Sequence, residues 1–193
     1  MKSRWIPAAG LLVLGAGSIA AAPTTREMDV ARSTLTVRVF KTGLFSAFGH
    51  NHEIRAPIAR GAFNESADQP SVELQVDARQ LQALDPELSA KDRAEVQQTM
   101  LGPSVLDTAN FPEIRFHSLS IEKAGAGKWR VHGDLTLHGQ THPVLAEVTG
   151  EPGHYRGSAA VRQMDFGITP VSVAGGAIKV KNEVRVEFEI FGR

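Results

Sequence analysis

From Thr34 onward, apolar and polar residues alternate with a period of two, and this pattern constrains the chain more than any other feature. Leu35, Val37 and Val39 alternate with Thr36 and Arg38, and Val72, Leu74 and Val76 with Glu73, Gln75 and Asp77. Further along, Trp129, Val131, Leu135 and Leu137 oppose Arg130, His132, Asp134 and Thr136, and Val184, Val186, Phe188 and Ile190 oppose Arg185, Glu187 and Glu189. Successive side chains of a strand point to opposite faces, so each segment has one apolar and one wet face. Turn clusters separate these segments at Ala124-Gly125-Ala126-Gly127, Gly150-Glu151-Pro152-Gly153 and Gly175-Gly176. Short strands joined this way are antiparallel hairpins, and burying their apolar faces requires a sandwich or a barrel. The fold class is therefore all-β, mainly antiparallel.

One stretch breaks the pattern. Asp85-Pro86 can cap and start a helix, Glu87 and Lys91 stand four apart, Val96 and Met100 share a face, and Gly102-Pro103 ends the run. The spacing predicts one helical insertion over about residues 86–101 within a single domain. With no internal repeat, a second domain has no boundary at which to begin.

The first residues carry Lys2 and Arg4, then an apolar run from Ile6 to Ala20, then Ala21-Ala22. This pattern predicts a secretory signal peptide over residues 1–22, cleaved near Ala20 to Ala22, leaving an exported domain over residues 23–193. The run is short and rich in Gly and Ala for a bilayer core of about 30 Å, and no second apolar segment follows, so no transmembrane span is expected after leader removal. The sequence has no cysteine, which excludes disulfides, thiolate metal sites and a cysteine nucleophile. Lys plus Arg and Asp plus Glu both number 21, so no net field attracts nucleic acid.

Signatures of catalysis fail on physical grounds. His52-Glu53-Ile54-Arg55-Ala56 begins like a zinc-protease helix but has Ala where the second His must stand, and it lies in a strand context. Gly127-Lys128 lacks the earlier glycine of a phosphate loop, and Ser158 lacks the second glycine of a nucleophile elbow. No enzyme is expected. The sharpest competing signal is His50 and His52: at i and i+2 on a strand they project to one side, where two imidazoles can share a divalent metal. His138 and His142 form a second pair, while His117 and His132 fall on the polar register.

Several segments resemble the YceI-like family. Gly133-Asp134-Leu135-Thr136-Leu137-His138-Gly139-Gln140-Thr141-His142-Pro143-Val144 is similar to that family's strand-turn-strand stretch. Phe111-Pro112-Glu113-Ile114-Arg115-Phe116 resembles the Phe-Pro element after its helical insertion, and Asp165-Phe166-Gly167-Ile168 its penultimate turn. The order of the elements agrees as well. The chain departs at its opening, where Lys41 stands at a place often held by His, and Gly49-His50-Asn51-His52 replaces a Gly-Arg-Phe run.

The resemblance implies a single lipocalin-like barrel of about eight strands, a size whose interior can hold one slender ligand. It also implies a periplasmic, non-catalytic carrier of a polyisoprenoid or similar long-chain amphiphile, with an apolar lipid or quinone-like molecule as its partner and no required cofactor. Periodicity alone leaves a packed core as the alternative, and with it an interaction protein whose loops meet a partner; an exposed strand edge would leave homodimer formation open. On the carrier reading Val37, Val39, Phe116, Leu135, Leu137, Phe166, Val186 and Phe188 line the lumen. Phe45 and Phe48, with Phe40 nearby, sit in a segment too aromatic for an exposed loop and form a gate at the mouth, with an ordinary bulged strand as the alternative.

Overall fold

The computed structural model describes residues 25–42, 51–173, 175 and 177–193. Among the described residues, twelve strands form one antiparallel sheet: β1 (Thr25–Glu27), β2 (Thr34–Thr42), β3 (His52–Arg55), β4 (Ile58–Asn64), β5 (Ser71–Asp77), β6 (Gln82–Ala83), β7 (Glu113–Gly125), β8 (Lys128–Leu137), β9 (Gln140–Glu151), β10 (His154–Arg162), β11 (Ser172–Val173) and β12 (Ile178–Phe191). One α-helix, α1 (Ala90–Leu101), lies between β6 and β7.

The sheet curls because its two halves meet. β12 pairs with β10 on one side and β2 on the other, and β2 pairs with β3, which runs through Ala56-Pro57 into β4. β4 then pairs with β5, β5 with β7, and hairpins carry the wall through β8, β9 and β10. The strand count exceeds the expected figure of about eight for a physical reason. A turn stapled by the Asp29 carboxylate, which accepts from the Ala31 and Arg32 backbone N–H groups, splits one wall position into β1 and β2. Proline cannot donate to a ladder, so Pro57 splits another into β3 and β4. β6 and β11 are two-residue additions.

The register puts the apolar alternation on one side all the way round. Ile54 pairs with Val37, Val37 with Val186, Val186 with Ala159, Ala159 with Ala146, Ala146 with Val131, and Val131 with Ile121. The alternate residues make an ion-pair lattice outside: Arg38 reaches both Glu187 and Glu53, at 2.7 and 2.8 Å, and Glu189 accepts from Arg156 and contacts His154. These two carboxylates hold the Arg38 guanidinium above its ordinary pKa through hydrogen bonding. Exposed pairs of this kind each contribute about 0–1 kcal/mol.

Short turns set the hairpins. Between β8 and β9, His138 and Gly139 have φ of 51° and 72°, the two positive values of a type I′ turn. At one end of the barrel the segment from Ala78 to Pro112 forms a cap, with Val96, Met100, Leu101 and Leu106 packed on the cluster of Ile54, Ala56, Val76 and Leu81.

The helix begins later than about residue 86. Ser89 is the N-cap: its hydroxyl accepts from Asp92 N at 3.1 Å and donates to the Asp92 carboxylate at 2.8 Å. Asp85 does not cap, because its carboxylate is taken by β3; it is 1 % exposed, accepts from Glu53 N at 2.8 Å and meets His52 Nδ1 at 2.8 Å. Two effects follow. Ser89→Ala should cost about 1 kcal/mol in a chemical denaturation curve. Asp85→Ala should cost more, roughly 2–3 kcal/mol, since it leaves the Glu53 N–H and the His52 ring without their buried acceptor. Among the described residues, no helix is long and apolar enough to cross a membrane.

Candidate ligand cavity

The inward faces do not fill the barrel. They enclose a cavity of about 450 Å³ that runs from the cap, at Met100, Val105 and Leu106, to the opposite end at Asn64, Pro70 and Pro152. Drug-sized ligands occupy pockets of roughly 300–1,000 Å³. Val37, Val39, Phe116, Leu135, Leu137, Val186 and Phe188 all line it, together with Leu74, Ile121, Trp129, Val131, Val148, Tyr155 and other apolar residues.

Two inward-facing glycines keep the lumen open. A Cβ on Gly133 would stand 2.5 Å from the Phe116 ring and 2.4 Å from the His117 carbonyl oxygen. A Cβ on Gly157 would stand 2.5 Å from the Phe188 ring and 2.4 Å from the Glu147 carbonyl oxygen. Each ring therefore occupies the space above a glycine on the neighbouring strand and leaves the axis clear.

Phe166 is not part of this lining. The alternation of β10 ends at Arg162, and the 3₁₀ turn Gln163–Phe166 carries the ring into a packed cluster with Val161, Ile168 and Val184, where it is 1 % exposed and meets the His142 ring edge-on at 5.2 Å. Phe40 belongs to the other face: Lys181 lies 5.9 Å over its ring, and it borders an outer depression of about 650 Å³. That depression is open to solvent and mixes Glu147, Arg162, Asp165, Lys181, Glu183 and Arg185 with Pro143, Leu145 and Ala160. Phe45, Phe48 and His50 lie outside the described residues.

His52, His138 and His142 have partners within the protein. His52 directs Nδ1 to Asp85. His138 Nδ1 lies 3.1 Å from the Phe166 carbonyl oxygen with its ring against Phe111, and His142 Nε2 is 3.4 Å from Gln140. His117 and His132 are exposed on the outer face. Among the described residues, no three His, Asp or Glu side chains stand together as a metal-binding group.

At the end opposite the cap, the lumen meets a polar cluster that the alternation does not reveal. Glu65 Oε1 accepts from the Tyr155 hydroxyl at 2.7 Å and from Gly153 N at 2.6 Å, and Arg26 Nε lies 3.1 Å from Oε2. The Tyr155 ring meets Phe63 and Trp129 edge-on, each at 5.6 Å. Burial, then the hydrogen bond to the Glu65 carboxylate, push the Tyr155 phenol well above its usual range. A phenol whose folded pKa is raised contributes stability that is present below the unfolded value near 10 and is lost as pH rises beyond it. Tyr155 is the only tyrosine, so phenolate absorbance reads it alone. Phenolate should appear in the native protein only well above pH 10, and together with loss of the fold; a reversible transition near pH 10 with the fold intact would contradict the arrangement.

A capped antiparallel barrel with an apolar lumen defines the class, a lipocalin-like binding barrel. The model of the YceI-like domain matches residues 27–191, and the chain belongs to that family. A UPF0312 protein of Yersinia pestis is 27% identical over 170 residues, covering 83% of each chain, and one of Vibrio cholerae is 28% identical over 127 residues, covering 61% of each. Among solved structures, Burkholderia cenocepacia BcnA superposes with a TM-score of 0.67 at 18% identity, covering 84% of this chain and 98% of that one. A mutant CJ YCEI protein with a monobromobimane guest gives 0.50 at 12% identity, covering 72% and 81%. At these identities the likeness is one of fold.

Proposed function

We propose that this protein is a periplasmic, non-catalytic carrier that holds the tail of a polyisoprenoid or similar long-chain amphiphile, a quinone-like molecule included, inside the barrel. The observation that carries the reading is the lumen itself: about 450 Å³, walled by aliphatic and aromatic side chains from β2, β5, β7, β8, β9, β10 and β12. Each methylene moved from water into such a lining contributes about 0.8 kcal/mol, so affinity grows with the length of tail accommodated until the lumen is full. On this reading the protein forms no covalent bond to its cargo. The Lys2 to Ala22 leader pattern supports export.

Trp129 lines the lumen, so its fluorescence reports occupancy. Titration of the leader-free protein with isoprenoid alcohols of increasing length should give saturable changes at one site, with affinity rising about fourfold per added methylene equivalent before reaching a plateau. A signal that does not saturate, or does not depend on tail length, would exclude the lumen as the site.

A further inference from the structure

The lumen's polar groups are few and they are grouped. Among the described lining residues Glu65 alone carries a charge, and Asn64, Ser71 and Tyr155 stand at the same end; Gln163 is the other polar residue. Glu65 is negative, its side chain is 18% exposed, and its neutralising partner Arg26 is not part of the lining but sits outside, 39% exposed. The end where the lumen meets water thus presents a carboxylate whose cation is turned away from the cargo.

The hydrogen-bonding capacity left over there is specific. The Tyr155 hydroxyl donates its one hydrogen bond to Glu65, so towards a ligand its oxygen can only accept. Glu65 accepts twice at Oε1, while Oε2 is ion-paired with Arg26 at 3.1 Å, so the acceptor capacity it has left lies at Oε2. Asn64 has committed its carbonyl oxygen to Ser66 N at 2.9 Å. A headgroup that bonds the Tyr155 oxygen or the Glu65 carboxylate must therefore donate a hydrogen bond, while the Asn64 side-chain N–H groups stand beside them as donors. A second negative charge brought to this place would meet the Glu65 carboxylate, and the nearby Arg26 guanidinium is already ion-paired with that carboxylate.

Resting on the carrier reading above, we propose that the Glu65–Tyr155 pair is a headgroup site, and that it selects amphiphiles ending in an uncharged donor, an alcohol, over the same tail ending in a carboxylate or a phosphate. The tail lies along the lumen towards Met100 and Leu106, and the hydroxyl donates to the Tyr155 oxygen or to Glu65 at the wet end.

The test is titration calorimetry of the leader-free protein at neutral pH with farnesol, farnesoic acid and farnesyl phosphate, which share one tail. Farnesol should bind at least about tenfold tighter than either anion, the difference expected when one ligand completes a hydrogen bond and the others bring an unpaired charge. Glu65→Gln removes the charge and keeps an acceptor for Tyr155, and it should shrink the ratio between alcohol and anions several-fold. Tyr155→Phe, which keeps the carboxylate, should weaken farnesol while the anions remain the poorer ligands. Anions binding as tightly as farnesol, or a ratio that Glu65→Gln leaves unchanged in a protein with native circular dichroism, would overturn the headgroup site alone. Binding of none of the three would overturn the carrier reading along with it.

Discussion

A protein carrying Val37→Phe together with Leu135→Phe should stay folded and lose its cargo. Both positions line the lumen, Val37 between Ile54 and Val186, and Leu135 beside Phe116. Two added rings project into a volume of about 450 Å³ that the native side chains leave unfilled. If they displace the equivalent of four methylenes of tail, about 3 kcal/mol of transfer free energy is lost, a weakening of a hundredfold or more. Filling a void adds contacts to side chains that lack partners on one side, so the thermal midpoint should hold or rise. Calorimetry with an isoprenoid alcohol alongside thermal unfolding separates the two quantities. Unchanged affinity in the folded variant would mean that the tail binds elsewhere.

The second large effect falls on stability. Gly157→Val places a Cβ 2.4 Å from the Glu147 carbonyl oxygen and 2.5 Å from the Phe188 ring. Backbone in a paired ladder cannot retreat without breaking hydrogen bonds to β9 and β12, and the ring can move only into the lumen. The cost should be roughly 2–3 kcal/mol, the upper part of the overpacking range. The displaced ring should also reduce capacity for cargo. Urea unfolding of Gly157→Val against Ala160→Val, an exposed outward position on the same strand, provides the comparison; equal midpoints would refute the close packing of Phe188 on Gly157.

Much of this barrel is legible before any coordinates. Leu35, Val37 and Val39, and later Val184, Val186 and Phe188, alternate cleanly because both strands are wet on one side and dry on the other. The period therefore specifies the face without knowledge of partners. It does not say whether that face meets other side chains or empty space, since a packed core and a lined lumen share the same pattern. Gly133 and Gly157 make that difference, and they acquire meaning only when register sets them beside Phe116 and Phe188.

Other features escape for related reasons. Phe166 sits one turn beyond the end of β10, where extrapolated alternation no longer applies. Asp85 before Pro86 has the chemistry of a helix cap, yet the His52 ring and the Glu53 N–H claim it from a strand more than thirty residues earlier. The Glu65–Tyr155 contact spans ninety residues of sequence. Its one local sign is a lone tyrosine on the register of Gly157, Ala159 and Val161, where a hydroxyl entering an apolar face requires an acceptor.

The most direct test of the account is native mass spectrometry of the leader-free protein, purified from an exported pool without detergent, with organic extraction of whatever accompanies it. The account predicts a one-to-one adduct of an isoprenoid or quinone-like lipid, released by solvent and absent from the Val37→Phe, Leu135→Phe protein. A bare chain that also takes up no isoprenoid alcohol when offered one would contradict it.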